Sequence, residues 1–440
     1  MKKLALHWQI LIGMALGILI GLGFTNFDWG PKFVTDWIKP FGNIFINSLK
    51  LIAVPLIIAS LIKGVSDLKD ISSLSQMGLK TIVTYILTTL VAVSIGLAIV
   101  NVIQPGSSID EDTRQELLEA YGGDAELKKQ DAQKQKESGP LQALEDLVPD
   151  NIFGAASDNG NMLQVIFFAI FFGIGLILIP DDKSQPVKDF FDGFNEVILK
   201  MIDIIMLAAP YGVLALMAAL VVEAPSAELF YALLYYSAAV IIGLVLMIGF
   251  YILIVWIFTK KTPGFFLNGI SPAQLLAIST SSSAATLPLT MERVEEHIGV
   301  DPKVASFVLP IGATINMDGT SLYQAVAAVF IAQAFGMDLT LGTQLGIIAT
   351  ATLASIGSAA VPGAGMVMLV IVLGQAGIPE AGLALIFAMD RPLDMLRTSV
   401  NVTGDAAVSM IIAKSQDQLG DPQVKNWDDE YSKRKSINQN

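Results

Sequence analysis

The sequence predicts an all-α membrane protein: eight transmembrane helices plus two re-entrant helical hairpins, arranged as inverted repeats. Three observations predict it. Of 440 residues, 53% are hydrophobic and 15% charged, whereas soluble domains carry roughly a quarter charged residues. Apolar runs of about twenty residues, the length that crosses a hydrocarbon core, recur along the chain. In the last third, two apolar stretches are broken by Ser, Gly and Pro at matching places in consecutive units.

Six spans fill the first two thirds: 6–24, 41–62, 81–103, 162–179, 197–222 and 230–258. The first lacks a small-residue cleavage site followed by a soluble domain, so it reads as a span and not as a signal peptide. Lys2, Lys3, Lys63, Lys69, Lys80, Lys183, Lys188, Lys260 and Lys261 flank what alternation makes one side, against Lys32 and Lys39 on the other. The positive-inside rule then puts both termini in the cytoplasm. The net charge of -13 lies mostly in the outer loop 110–150 and in the tail after Lys414. No basic stripe suits a nucleic acid. The absence of cysteine excludes disulfides and thiolate chemistry.

From Pro263 the pattern changes. Two helices, 306–334 and 382–413, alternate with the broken stretches 273–291 and 345–374. Pro and Gly cost a helix interior about 1 to 3 kcal/mol each. Within a membrane such breaks persist only where protein or a water-filled cavity satisfies the freed backbone groups. Each broken stretch therefore reads as a re-entrant hairpin, the first opening from the cytoplasm and the second from outside. Discontinuous segments at corresponding positions of two repeats point to a transporter's binding site.

The last helix carries Asp390, Arg391, Asp394, Arg397, Asn401 and Asp405. At 100° per residue all but Arg391 fall in a stripe under a quarter-turn wide, and 394 to 405 spans ~16 Å of axis. A charge near the bilayer centre costs ~2.5 to 3.5 kcal/mol even on the lenient scale. One explanation is an internal salt-bridge set that locks the bundle, with Arg391 on Asp394 and Arg397 on Asp390 or Asp394. Against it, intramembrane charges mark function by default. Arg391, beside Pro392, reads as structural or electrostatic before ligand-binding.

A guanidinium fork suits a carboxylate and an aspartate suits an ammonium, so Arg397 with Asp394 matches an amino acid with an acidic side chain. Backbone N–H groups and hydroxyls at hairpin tips suit its other carboxylate. Asp318, Asp405, Asn316, Asn401 and hairpin carbonyls are hard oxygen ligands, suited to Na⁺. In the 306–334 helix, the NMDGT run from Asn316 to Thr320 predicts either local unwinding that frees carbonyls or a simple kink.

Four segments, TSSSAATLP from Thr280, GATINMDGTSLYQA from Gly312, ASIGSAAVPGAG from Ala354 and DMLRTSVNVTGD from Asp394, resemble the dicarboxylate/amino acid:cation symporter family. That family includes the excitatory amino acid transporters and archaeal sodium–aspartate symporters, and one member is a known example of inverted-repeat architecture. The resemblance covers nearly the whole chain. It implies a sodium-coupled symporter of L-aspartate or L-glutamate in the cell membrane, a homotrimer with elevator-type alternating access. The scaffold would be 1–80 and 151–225. The moving transport domain would comprise 81–103, 226–262, hairpin 263–300, helix 301–338, hairpin 339–378 and helix 379–415. An acidic outer loop (104–150) and a polar cytoplasmic tail (416–440) complete the chain.

The same resemblance implies a substrate site of Ser281, Ser282 and Ser283 facing Val361, Ala364 and Gly365, completed by Thr320, Asp394, Arg397, Thr398 and Asn401. Asp394 would take the amino group and Arg397 the side-chain carboxylate. It also implies three sodium sites. One uses carbonyls of Gly312, Asn316 and Asn401 with the Asp405 carboxylate. The second uses carbonyls of Thr314, Met317, Ser355, Ile356 and Ser358. The third uses Tyr85, Thr88 and Thr89 with Asn316 and Asp318. Without the resemblance, Thr88 and Thr89 read as helix hydroxyls bonded to the preceding turn.

Two departures stand out. Archaeal relatives have an arginine where this chain has Ser281, while Arg391 stands on the last helix and is expected to keep that role. Proton-coupled eukaryotic relatives have a glutamate where this chain has Gln324, which cannot titrate, so proton transfer by that route is not expected. Potassium counter-transport has no support.

Other functions fit less well. His7 and His297 are the only histidines and lie outside the polar core, leaving a Ser-His-Asp arrangement without a base. Arg397 would keep a paired-aspartate dyad ionised. A C4-dicarboxylate carrier would not need Asp394, nor a neutral amino acid carrier Arg397. An anion channel stays open as an alternative, and saturable, sodium-dependent uptake would separate the two.

Overall fold

A computed structural model describes residues 6–67, 75–110, 113–114, 148–157, 162–223, 227–356 and 363–422. Among these the protein is all-helical, apart from one antiparallel bridge between Val300 and Leu419. The principal helices are α1 (Leu6–Thr25), α2 (Lys39–Asp67), α3 (Ser75–Ile103), α4 (Met162–Leu178), α5 (Asp181–Glu223), α6 (Ala227–Thr259), α7 (Pro263–Thr280), α8 (Ser283–Glu292), α9 (Pro302–Ile315), α10 (Asp318–Ala334), α11 (Leu341–Ile356), α12 (Ala364–Gln375) and α13 (Leu383–Ser415).

Among the described residues three helical stretches, Gly30–Lys63, Met77–Ser108 and Glu228–Thr259, are long and apolar enough to cross a bilayer, with α5 a fourth if its two arms count as one span. α5 bends by 46° between 202 and 207. Pro210 lies just beyond, where its ring crowds the carbonyl four residues earlier and its missing N–H breaks the ladder. The helix begins at Asp181, well before the apolar run expected from 197. Asp181 and Asp182 in its first turn complement the helix dipole, and Asp192 pairs with Lys63 of α2 at 3.1 Å.

The helices sort into two packed groups. α5 packs along α1 and α2, and α4 lies on α2. In the other group α13 is the hub, flanked by α6, α7, α8, α9 and α10, while α3 lies along α10 and α6. α12 against α2, and α13 against α1 and α5, join the groups; Phe45 meets Phe387 edge-on at 4.8 Å there. α12 is apolar on every side and buried along most of its length, as a helix without a polar face must be; α10 is buried too, its first two turns carrying Asp318, Thr320, Ser321 and Gln324.

The first broken stretch folds as helix–turn–helix. Thr262 caps α7, with Pro263 in its first turn, and Ser281 ends it in the left-handed region at φ +51°. Ser282 then caps α8 by accepting from Ala285 N at 3.1 Å. Arg293, just past α8, donates to the Gly269 carbonyl at 2.8 Å, so the chain doubles back along α7. The second broken stretch holds two helices, α11 and α12, that pack together; residues 357–362 lie outside the described set.

Candidate functional site

The helix expected over 306–334 is two helices. α9 ends at Ile315, Asn316 and Met317 take non-helical angles (φ -91°, ψ 82° and φ -107°, ψ 47°), and α10 restarts at Asp318. The chain unwinds and is not merely kinked. The break exposes backbone groups that must find partners. Ser355 of α11 serves two of them, accepting from Met317 N at 3.0 Å and donating to the Ile315 carbonyl at 2.9 Å. Ser321 donates to the Ala351 carbonyl at 3.2 Å.

α13 passes beside this break. Asn401 accepts from Gly319 N at 2.7 Å and its amide lies 3.3 Å from the Thr320 hydroxyl. Asn316 Nδ2 donates to Asp405 Oδ1 at 2.9 Å. The approach requires glycine at 319, because a Cβ there would lie 2.5 Å from the Arg397 carbonyl oxygen. Gly319→Ala is expected to cost about 1 to 3 kcal/mol by overpacking. It should unfold at lower temperature in detergent and lose the Gly319–Asn401 bond that seats α10 on α13. An unchanged melting profile would show that the helices can part freely.

The charges of α13 form a buried cluster. Arg397 Nη2 lies 2.7 Å from Asp394 Oδ1 and 2.9 Å from Asp390 Oδ1, and Arg391 Nη1 lies 3.1 Å from Asp394 Oδ2. Arg397 is fully buried and its guanidinium sits 3.8 Å above the Tyr323 ring, a cation–π arrangement. The pairs of a purely structural salt-bridge set are thus all present, yet they do not balance. Asp318 and Asp405 are also buried and have no basic partner within ion-pair distance among the described residues. Four carboxylates face two guanidiniums. Arg397 Nε and Nη1, Asn316 Oδ1 and Gln324 Oε1 are buried without a protein hydrogen-bond partner among the described residues. Such groups cost about 1 to 3 kcal/mol each unless something satisfies them. The site can therefore accept one carboxylate at Arg397 and positive charge near Asp318 and Asp405.

Several of the other expected site residues touch this cluster. Gly363 N donates to Asp394 Oδ2 at 3.3 Å. Gly365 faces Thr320 and Arg397, and Gln324 donates to the Gly365 carbonyl at 3.3 Å; Ala364 is buried beside them. Thr398 is buried and its hydroxyl donates to the Asp394 carbonyl at 2.8 Å. Gly312 abuts the Tyr85 hydroxyl and the Asp405 carboxylate. Thr89 reaches Asp318 Oδ1 at 2.5 Å, while Thr88 donates to the Tyr85 carbonyl at 3.0 Å. Ser281, Ser282 and Ser283 lie buried at the α7–α8 turn. Thr314 is exposed, its hydroxyl bonded within its own helix, and Ile356 ends α11. Ser358 and Val361 lie outside the described residues.

Sequence reasoning missed Tyr323 and Tyr251. Tyr323 sits one turn after Thr320, a signal a helical projection could have used. Tyr251 lies in the apolar α6, and only the folded chain brings it to Asp318.

Residues 6–415 match the model of the Sodium:dicarboxylate symporter family. The chain belongs to that family. The protein is therefore a multi-pass membrane transporter and not an enzyme. It is similar to the "Proton/sodium-glutamate symport protein" of Bacillus caldotenax, at 34% identity over 437 residues, covering 97% of this chain and 98% of the relative. The "Proton/glutamate-aspartate symporter" of Escherichia coli (strain K12) is 34% identical over 451 residues, 99% of this chain and 95% of the relative. "Excitatory amino acid transporter 3" of Oryctolagus cuniculus is 36% identical over 452 residues, 93% of this chain and 85% of the relative.

Proposed function

We propose that this family member is a sodium-coupled secondary active symporter of acidic amino acids, L-aspartate, L-glutamate or both. The observation that carries the reading is the charge imbalance of the buried cluster. Arg397 supplies a guanidinium with unpartnered N–H groups for a side-chain carboxylate, and Asp394 beside it suits the amino group. Asp318 and Asp405 are two uncompensated charges at a backbone break, and oxygen donors of this kind suit Na⁺. The protein's own charges call for two monovalent cations. An acidic amino acid adds one net negative charge and calls for a third. The names of the relatives support the substrate class.

In this reading the group built from α1, α2, α4 and α5 is the scaffold, and the group around α13 is the moving transport domain. The helix pairs α7–α8 and α11–α12 are its re-entrant hairpins. The chain crosses the membrane eight times with both termini cytoplasmic and works as a homotrimer. Ser281, Ser282, Ser283, Thr320, Val361, Ala364, Gly365, Thr398 and Asn401 complete the substrate site. Arg391, held on Asp394, sets the local potential.

Radiolabelled aspartate and glutamate uptake into proteoliposomes, with sodium, proton and potassium gradients imposed in turn, tests this. An inward sodium gradient should drive concentrative uptake, and reversal potentials should report three sodium ions, a net two positive charges, entering per substrate. A second reading, protons replacing sodium, draws on the Escherichia coli relative's name. Uptake driven by a proton gradient without sodium would favour it. Uptake of succinate but of neither amino acid would instead make the protein a dicarboxylate carrier.

A further inference from the structure

Asp318 opens α10 fully buried, and its two carboxylate oxygens are divided between hydroxyls from two different helices. Thr89 of α3 lies 2.5 Å from Oδ1, and Tyr251 of α6 donates to Oδ2. Thr89 is also 2.9 Å from the Tyr85 carbonyl. A hydroxyl has a single proton to donate, so Thr89 serves one of these acceptors at a time. Among the described residues Tyr251 has only Asp318. Its ring is wholly buried, and its oxygen rests against Gly404, where a Cβ would collide with it and would also lie 2.7 Å from Asn316 Nδ2. Gly404 precedes Asp405 on α13, so the phenol reaches Asp318 through a gap that a side chain at 404 would fill. Tyr85, the tyrosine expected at this site, sends its own hydroxyl to the Val308 carbonyl at 3.1 Å.

We propose that Tyr251 is a positioning residue for the cation taken by Asp318, and that Gly404 is glycine so that the phenol can reach the carboxylate. The role rests on the sodium-coupled reading above. A phenol supplies one hydrogen bond and no charge. It fixes Oδ2 to α6, leaves the carboxylate its full negative charge, and keeps Oδ1 turned toward α3 and the break in the chain. A lysine in its place would neutralise Asp318 and remove the attraction for a cation. A phenylalanine would leave the carboxylate free to turn away.

The test is calorimetric titration of the purified protein with L-aspartate or L-glutamate, whichever binds tighter, over a series of sodium concentrations with choline as replacement. Tyr251→Phe keeps the ring and its packing. It is expected to raise the half-saturating sodium concentration about tenfold, equivalent to about 1.4 kcal/mol, while amino acid affinity at saturating sodium stays within about twofold. A loss of structure alone would weaken both together. Gly404→Ala drives a methyl into the phenol oxygen and should shift the sodium curve the same way; it decides the matter should Tyr251→Phe not give monodisperse protein. Wild-type binding that ignores sodium would overturn the coupling and this role with it. A sodium-dependent wild type whose curve Tyr251→Phe leaves unmoved would overturn the role of Tyr251 alone.

Discussion

Arg397→Ala is expected to abolish uptake of aspartate and glutamate. The side chain is wholly buried, holds Asp390 and Asp394 through Nη2, and lies over Tyr323. Truncating one partner of a buried, hydrogen-bonded charge pair costs about 2 to 5 kcal/mol, which is roughly thirtyfold or more in affinity. The same truncation also strips Asp390 and Asp394 of a counter-charge, and breaking a buried pair destabilises by about 3 to 5 kcal/mol. Arg391, still 3.1 Å from Asp394, offsets only part of that. Arg397→Lys separates the two effects. Lysine keeps a positive charge for Asp390 and Asp394 but offers a point charge where arginine offers a planar fork. It should fold and still transport poorly. Unchanged radiolabelled uptake by the alanine variant in proteoliposomes would refute the assignment of Arg397 to the substrate carboxylate.

Asp405→Asn should weaken sodium dependence while leaving the fold intact. Asp405 is buried, and among the described residues the only hydrogen bond to its carboxylate is the 2.9 Å one from Asn316 Nδ2. An asparagine can turn its own oxygen to that donor, so the local contact survives. What disappears is one of the two negative charges that no basic residue balances. At an effective dielectric of ~20 a unit charge at 4 Å is worth about 4 kcal/mol, so even a strongly attenuated fraction moves a sodium half-saturation tenfold or more. Sodium titrations of uptake at saturating amino acid read this directly. An unaltered curve would remove Asp405 from the cation site.

Several features were readable before any fold was known. The scarcity of charge along most of the chain made a bilayer the solvent, and the clustered Ser, Gly and Pro marked the turn between α7 and α8. Angular arithmetic alone put Asp390, Asp394, Arg397, Asn401 and Asp405 on one face of a helix. The start of α5 at Asp181 was not readable, because 181–196 is polar enough to pass for a loop until Asp192 meets Lys63. Nor was the choice between a kink and an unwound turn at Asn316, which depends on Ser355 arriving from another element to serve the freed backbone.

The sequence by itself determined that this chain crosses membranes and that its last helix carries more charge than lipid tolerates without a purpose. Hydrophobicity and helical periodicity are local, additive properties, and one strand of letters contains them in full. Only the tertiary structure decided which carboxylates are paired and which are left over, and that a tyrosine from an apolar helix reaches Asp318 past a glycine. Charge balance and hydrogen-bond partnership depend on distances across helices far apart in the chain, which no pattern along it records.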